Sequence, residues 1–93
     1  MSRLSGFSGS AAWDPASIAD GDEVVTEITV PGAKLGDFAL ASLSIDVADL
    51  DLTAHVTAAN TVTAQLNNST GGAINLDAAT VRVMVIPADL TAG

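Results

Sequence analysis

The chain has no cysteine and no tyrosine, and its 93 residues include only one histidine, one tryptophan and two phenylalanines. The absence of cysteine excludes disulfides and thiolate metal sites, and so few aromatic side chains add little bulk to a core. A domain of this length buries roughly two-thirds or less of the surface that its unfolded chain exposes, so its stability is marginal. We therefore expect further stabilisation from self-association or from docking onto a larger body.

Basic charge is nearly absent, because three basic residues stand against eleven acidic residues and the net charge is −8. Such a charge repels phosphate backbones and anionic lipid, so we expect neither nucleic acid nor a membrane as a partner. Charged residues make up only 15% of the chain, and the mean hydropathy is +0.44. This composition indicates that part of the apolar surface is covered by another protein.

Long hydrophobic runs are also missing. The N-terminal segment has no continuous apolar region of the kind found in signal peptides, and no later run approaches the roughly 18 apolar residues that cross a bilayer. We expect neither a signal peptide nor a membrane anchor, and we expect synthesis in the cytoplasm.

The first residues are rich in serine and glycine, with Leu4 and Phe7 as their main large apolar side chains. This composition predicts a flexible N-terminal arm over residues 1–12. A β-sandwich domain over residues 13–87 and a short tail over residues 88–93 complete the predicted organisation. Leu4 and Phe7 are candidates for anchoring the arm to a neighbouring subunit, and simple terminal disorder is the alternative.

Alternation of apolar and polar residues predicts the clearest strands. A strand begins at Val24 and ends at Pro31-Gly32. The stretch Thr53–Asn68 alternates, breaks once and resumes, which predicts a β-hairpin whose turn has a positive φ at Asn60. A last strand over residues 80–86 is apolar on both faces, so we expect both faces to be covered. The alternating residues of its two faces are Val81, Val83 and Val85 on one side and Arg82, Met84 and Ile86 on the other.

Two other segments are less regular. Residues 13–18 follow the predicted arm and indicate a short first strand or an edge segment. The run from Phe38 and Leu40 to Leu43 and later residues changes phase near Ala41, which predicts a β-bulge or a bend between sheets. Turns rich in glycine, proline, asparagine and aspartate separate these short strands, and no segment has a convincing amphipathic helical pattern. The chain is therefore predicted to be all-β, as a small antiparallel β-sandwich or jelly-roll-like barrel.

Residues that could carry chemistry are few. His55 lies on the polar face of its strand, and a single imidazole without a second histidine or a cysteine is a poor metal site. Two acidic groups offer oxygen ligands for a weak calcium site, but neither matches a calcium-binding loop, and we interpret both as solvated turn carboxylates. These groups are Asp46, Asp49 and Asp51, and Asp20, Asp22 and Glu23. We predict no enzymatic activity, no cofactor and no bound metal.

Several motifs occur in an order that resembles a group of small β-sandwich proteins and modules of tailed bacteriophages. The resemblance covers roughly residues 12–85. The segments that carry it are "AAWDPASIADG", "ITVPGAKLGDF", "LTAHVTAANTVTAQLNNSTGGAINL" and "TVRVMV". The first three contain the motifs of the group, which are a Trp-Asp-Pro opening, a Val-Pro-Gly-Ala-x-x-Gly-Asp turn, an Ala-Ala-Asn-Thr-Val-Thr hairpin and a Thr-Gly-Gly-Ala turn.

Members of this group resemble capsid decoration, or cement, proteins when they stand alone, and fibre tips when they are attached to a longer chain. The resemblance implies a homo-oligomer, commonly a trimer, that binds the major capsid protein on the outer surface of the virion and stabilises the head. A decoration protein is expected here because no fibre shaft precedes the module. The candidate capsid or subunit interface residues are Leu4, Phe7, Trp13, Arg82, Met84 and Ile86.

Two alternatives remain at this stage. The first is a receptor-binding or glycan-binding tip module of a phage fibre, for which the chain offers few aromatic side chains to stack on sugar. The second is a small hydrolase, which the absence of a catalytic constellation disfavours.

Overall fold

A computed structural model of the chain describes residues 6–88, and these residues form two antiparallel sheets packed face to face. The strands are β1 (Phe7–Trp13), β2 (Glu23–Thr29), β3 (Phe38–Leu43), β4 (Asp51–Ala58), β5 (Thr61–Asn67) and β6 (Ala79–Ile86). Sheet I has the strand order β1-β6-β3, and sheet II has the order β2-β5-β4. The predicted small antiparallel β-sandwich is confirmed.

The core lies between the sheets and consists mainly of branched aliphatic side chains, which come from the two central strands, from other strands and from the loops. In β6 the side chains at alternate positions, Val81, Val83 and Val85, are buried. In β5, Val62, Ala64 and Leu66 are buried in the same way. Alternation with period two therefore gives each central strand one face in the core, as the sequence predicts.

The hairpin of β4 and β5 has the predicted turn, with Asn60 at a φ of 64°. An asparagine tolerates this left-handed conformation better than most residues. The side chain Oδ1 of Asn60 accepts a hydrogen bond of 2.8 Å from the Gly32 backbone N–H. Its backbone N–H donates to the Ala33 carbonyl oxygen at 2.9 Å. The hairpin turn is thus joined to the loop between β2 and β3.

The prediction of a flexible arm over residues 1–12 is wrong for its second half, because residues 7–12 belong to β1. This strand pairs with β6 along its whole length, from Phe7 opposite Val85 to Trp13 opposite Ala79. Its inward positions before Trp13 are Phe7, Gly9 and Ala11, which are only partly buried, so residues 7–12 have a weak strand signal in the sequence. A Cβ added at Gly9 would lie 2.7 Å from the carbonyl oxygen of Thr29, so β1 approaches β2 more closely than a side chain would allow.

The predicted phase change in the Phe38 segment is also wrong. In β3, Ala39, Ala41 and Leu43 turn towards the core, and Phe38 and Leu40 turn away from it. The register with β6 is uninterrupted from Phe38 opposite Ile86 to Leu43 opposite Val81. The strand is regular, and a slip was predicted because Phe38 and Leu40 on the outward side are larger than Ala39 and Ala41 on the inward side.

One buried polar side chain organises the loops at the end of sheet II. Asn68 is 2% exposed, and its Nδ2 donates hydrogen bonds to the Ile18 carbonyl oxygen at 2.7 Å and to the Gly72 carbonyl oxygen at 2.9 Å. Its Oδ1 accepts bonds from the backbone N–H of Thr70 at 2.9 Å and from the Thr70 hydroxyl at 2.8 Å. Nearby, Ile18 and Ile74 form an isolated antiparallel bridge. The turn after β5 is therefore fixed to the segment between β1 and β2.

No helix long and apolar enough to cross a membrane occurs among residues 6–88.

Candidate functional site

The outward side of sheet I carries most of the large apolar side chains that remain exposed. Phe38 is 63% exposed, Leu40 is 60% exposed and Met84 is 50% exposed. Single exposed apolar residues are common on proteins, but a contiguous group indicates an interaction surface. We call this side of the sheet, formed by the outward residues of β1, β6 and β3, the sheet I outer face.

The strand register makes these residues neighbours. Leu40 lies opposite Met84, and Phe38 lies opposite Ile86. On the other side of β6, Ser8 lies opposite Met84. Directly opposed residues in antiparallel strands have Cβ atoms about 4.5–5.5 Å apart, so the apolar side chains form one continuous patch at one end of the face.

A groove of about 460 Å³ crosses the middle of this face. Short serine side chains of β1 and β3 lie there beside the longer Arg82 and Met84 side chains of β6. The outward side chains that line it are Ser8, Ser10, Leu40, Ser42, Arg82 and Met84. The groove thus has an apolar end, formed by leucine and methionine, and a hydroxyl end, formed by serines around one guanidinium group.

Arg82 lies at the hydroxyl end and is exposed. Its neighbours across the sheet are Ser10 on β1 and Ser42 on β3. Within residues 6–88 no carboxylate forms an ion pair or hydrogen bond with its guanidinium group. The five N–H donors of arginine suit bidentate binding of a carboxylate, so the groove combines an anion-binding group with apolar surface.

The structure brings three of the predicted interface residues together on this face, namely Arg82, Met84 and Ile86. It does not bring the aromatic candidates there. Trp13 is 9% exposed and belongs to the core. Phe7 points inward, and a Cβ added at Gly32 would lie 3.0 Å from its ring, so its side chain contributes to packing within the domain. Leu4 lies outside the described residues.

Phe38 and Leu40 were not among the interface residues predicted from the sequence, which placed them in one apolar run with a phase change near Ala41. A signal for their true position was present, because Ala39, Ala41 and Leu43 continue the same alternation without a break. Assigning the small alanines to the core would have placed the two larger side chains outside. Large apolar residues are usually the ones that are buried, so this arrangement is the less common one.

The opposite side of the molecule, the outer face of sheet II, has a different chemical character. His55 is exposed there and lies opposite Thr63. No hydrogen bond to its imidazole is formed by any residue in the 6–88 range. The strands of this sheet carry the acidic residues Glu23, Glu27 and Asp51 and no basic residue.

The acidic turns use several carboxylates to fix the local backbone. Asp46 accepts a hydrogen bond of 3.0 Å from the Ala48 N–H. Asp20 accepts one of 3.0 Å from the Gly71 N–H. Across the part of the chain that the structure describes, no group of three or more histidine, aspartate or glutamate side chains is close enough to hold a metal ion. These contacts agree with the interpretation of Asp46 and Asp20 as turn residues, whereas Asp51 and Glu23 are the first residues of β4 and β2.

The sequence was compared with protein-family models and with curated proteins, and neither comparison gave a match.

Proposed function

We propose that this protein is a structural virion protein of a tailed bacteriophage, which binds the major capsid protein as a decoration protein and stabilises the head. The proposal joins the order of turn motifs, which resembles that of phage decoration proteins, to the exposed apolar patch on the sheet I outer face. The patch is the observation that carries it. A sandwich that leaves Phe38, Leu40 and Met84 exposed presents a surface suited to permanent burial against another protein.

The distribution of charge supports the same proposal. The strands of sheet I contain one charged residue, Arg82, and the strands of sheet II contain three acidic residues. Charged residues are depleted from the centres of stable interfaces. In the proposed arrangement sheet I faces the shell and sheet II faces solvent, where its negative charge keeps decorated particles apart.

Binding to capsids that lack this protein tests the proposal. We expect Leu40→Thr to weaken attachment about fivefold to thirtyfold, because the loss of apolar area corresponds to roughly 1–2 kcal/mol. Val25→Thr is the matched control, since Val25 is 54% exposed on the outer face of sheet II. The measurement is the amount of protein that pellets with the particles over a range of concentrations. Equal loss for both variants, or for neither, would contradict docking through sheet I.

Self-association is part of the proposal, and a trimer is the form that the resemblance implies. Sedimentation equilibrium at micromolar concentration measures it directly. An oligomer is expected, and a monomer at all concentrations would restrict assembly to the capsid surface.

The alternative is a receptor-binding or glycan-binding fibre tip, which the serine hydroxyls along the groove favour. Sugar binding usually includes stacking on an exposed aromatic ring. Among the described aromatic residues, Trp13 is in the core and Phe7 is partly buried, and Phe38 is the exposed one. Electron microscopy of the source particle separates the two functions, because density over the capsid lattice supports decoration and density at a fibre end supports the alternative.

A further inference from the structure

Arg82 is the one charged residue in the three strands of sheet I. It lies in the groove between two serines, and it has an apolar patch on one side. A partner that covers Leu40 and Met84 must also remove water from this guanidinium group. Desolvating a charge without giving it a counter-charge is unfavourable, so the covering surface has to supply an anion.

A second copy of the sheet I outer face cannot supply that anion. Its strands contain no aspartate or glutamate, and a twofold pairing of this face with itself would bring two Arg82 side chains into one interface. Like charges at an interface are unfavourable. The occupant that fits is therefore a different surface, which carries a carboxylate next to an apolar group.

We propose that the groove binds an extended segment of a partner protein, in which an aspartate or glutamate pairs with Arg82 and a neighbouring apolar side chain packs on Leu40 and Met84. Arginine pairs with a carboxylate through two parallel hydrogen bonds, which sets the position and direction of the segment. The apolar contact contributes area, and the charge pair contributes selectivity for an acidic segment. The identification of this partner as the major capsid protein rests on the proposed function, whereas the chemistry of the groove does not.

Two short peptides test the chemistry without a capsid. They are acetyl-Leu-Asp-Leu-amide and acetyl-Leu-Asn-Leu-amide, titrated into the full chain labelled with ¹⁵N and followed by NMR. We expect shift changes at the amides of Ser10, Ser42 and Arg82. We expect the aspartate peptide to bind about twofold to fivefold more tightly, which is the range of an exposed ion pair. The net charge of −8 opposes any anionic ligand elsewhere on the surface, so a preference for aspartate must come from a local cation.

Variants of the chain test whether Arg82 causes the preference for the aspartate peptide. Arg82→Gln should make the two peptides bind equally, and Arg82→Lys should retain part of the preference because the charge remains but the two-pronged geometry is lost. Lys34→Gln is the matched control, since Lys34 is an exposed basic residue that does not line the groove. It should leave the preference unchanged.

Three results would overturn the inference. One is equal affinity of the two peptides for the unmodified protein, and another is a set of shift changes confined to other parts of the surface. The third is an oligomer that both Arg82→Gln and Glu27→Gln dissociate, because that result would identify the acidic face of a second copy as the occupant. If the groove prefers the aspartate peptide and the protein fails to bind capsids, the proposed function is refuted and this inference stands.

Discussion

Replacing the buried Asn68 by aspartate should make the stability of the domain depend on pH in a way that the unmodified protein does not. The orientation of the amide is fixed, because the Thr70 backbone N–H can only donate and so must face Oδ1. The Nδ2 group then faces two carbonyl oxygens, those of Ile18 and Gly72. Asn68→Asp places a carboxyl oxygen where this donor was, against those two carbonyl oxygens.

The magnitude follows from these contacts. Each net hydrogen bond stabilises the fold by about 1 kcal/mol, so the loss of the two donated bonds costs roughly 2 kcal/mol. An ionised carboxylate at this buried position adds the cost of an uncompensated charge. The lost hydrogen bonds and the buried charge together lower the free energy of unfolding by about 3–5 kcal/mol at neutral pH. That is a large share of the roughly 5–14 kcal/mol expected for a domain of this size. Asn68→Ala loses both donated and both accepted side-chain hydrogen bonds without adding a charge, so it should cost about 4 kcal/mol at any pH.

The sign of the pH dependence can be stated in advance. Burial and the facing carbonyl oxygens favour the protonated form, so the introduced carboxyl has a folded-state pKa above its usual value near 3.9. A group whose pKa rises on folding destabilises the fold increasingly as pH rises above the unfolded pKa, until the folded pKa is passed. Asn68→Asp lowers the free energy of unfolding relative to the unmodified protein. This loss should be smaller at pH 5 than at pH 8, by about 1–2 kcal/mol.

Urea unfolding followed by tryptophan fluorescence measures the free energy of unfolding of both variants at both pH values. Trp13 reports on it because it is the single tryptophan and is 9% exposed in the core. Asn68→Ala serves as the control for loss of hydrogen bonds without an added titratable group. A loss of unfolding free energy for Asn68→Asp that is the same at both pH values, or a loss for Asn68→Ala that changes with pH as much as that of Asn68→Asp, would refute the reasoning.

Three further predictions concern β1 and the docking mechanism. Gly9→Ala should destabilise the fold by about 1–3 kcal/mol in urea unfolding, because its Cβ would meet the Thr29 carbonyl oxygen at 2.7 Å; the outward neighbour Ser8→Ala should stay within about 0.5 kcal/mol. Deleting residues 1–10 should lower the thermal unfolding midpoint measured by circular dichroism, because residues 7–10 pair with residues 82–85; an unchanged midpoint would show that this part of β1 is dispensable. Protein bound to capsids should be retained after pelleting in about 1 M NaCl or in EDTA, because apolar burial at about 25 cal/mol per Å² is not screened by ions; release in salt would indicate electrostatic docking, and release in EDTA would indicate a bridging metal.

The strands that could be predicted from the sequence are those whose alternation and turn residues lie within one short segment. The β4–β5 hairpin has strict alternation on both strands and an asparagine at the one turn position that needs a positive φ. Both properties are visible within a few residues of each other. The same applies to β2 and to β6, whose alternating faces are those that the sequence predicts.

The part that could not be predicted depends on distant contacts. The segment that forms β1 consists mostly of serine, glycine and alanine, which have little strand preference by themselves. It becomes a strand because β6 supplies hydrogen-bond partners from the other end of the described chain. Its glycine is required by the close approach of Thr29, which no local pattern reveals.

The candidate site shows the same limit. Arg82 and Met84 were identified from the second apolar face of β6, because alternation within one strand determines which side chains share a face. Their neighbours Leu40 and Ser42 come from β3, and Ser10 comes from β1. The groove exists only through the pairing of three strands, so the sequence could indicate its central strand and not its walls.

The central position of β6 in sheet I also sets the order in which the protein can fold as it is made. Sheet II is built from strands that all lie between residues 23 and 67, so its pairing is complete in sequence before β6 begins at Ala79. β1 and β3 each pair with β6 and not with each other, so they have no partner in sheet I until that strand has left the ribosome. Long-range pairing of this kind forms late, because the chain must close a large loop first. A prematurely terminated chain that ends before Ala79 therefore cannot assemble sheet I and lacks the sheet I outer face.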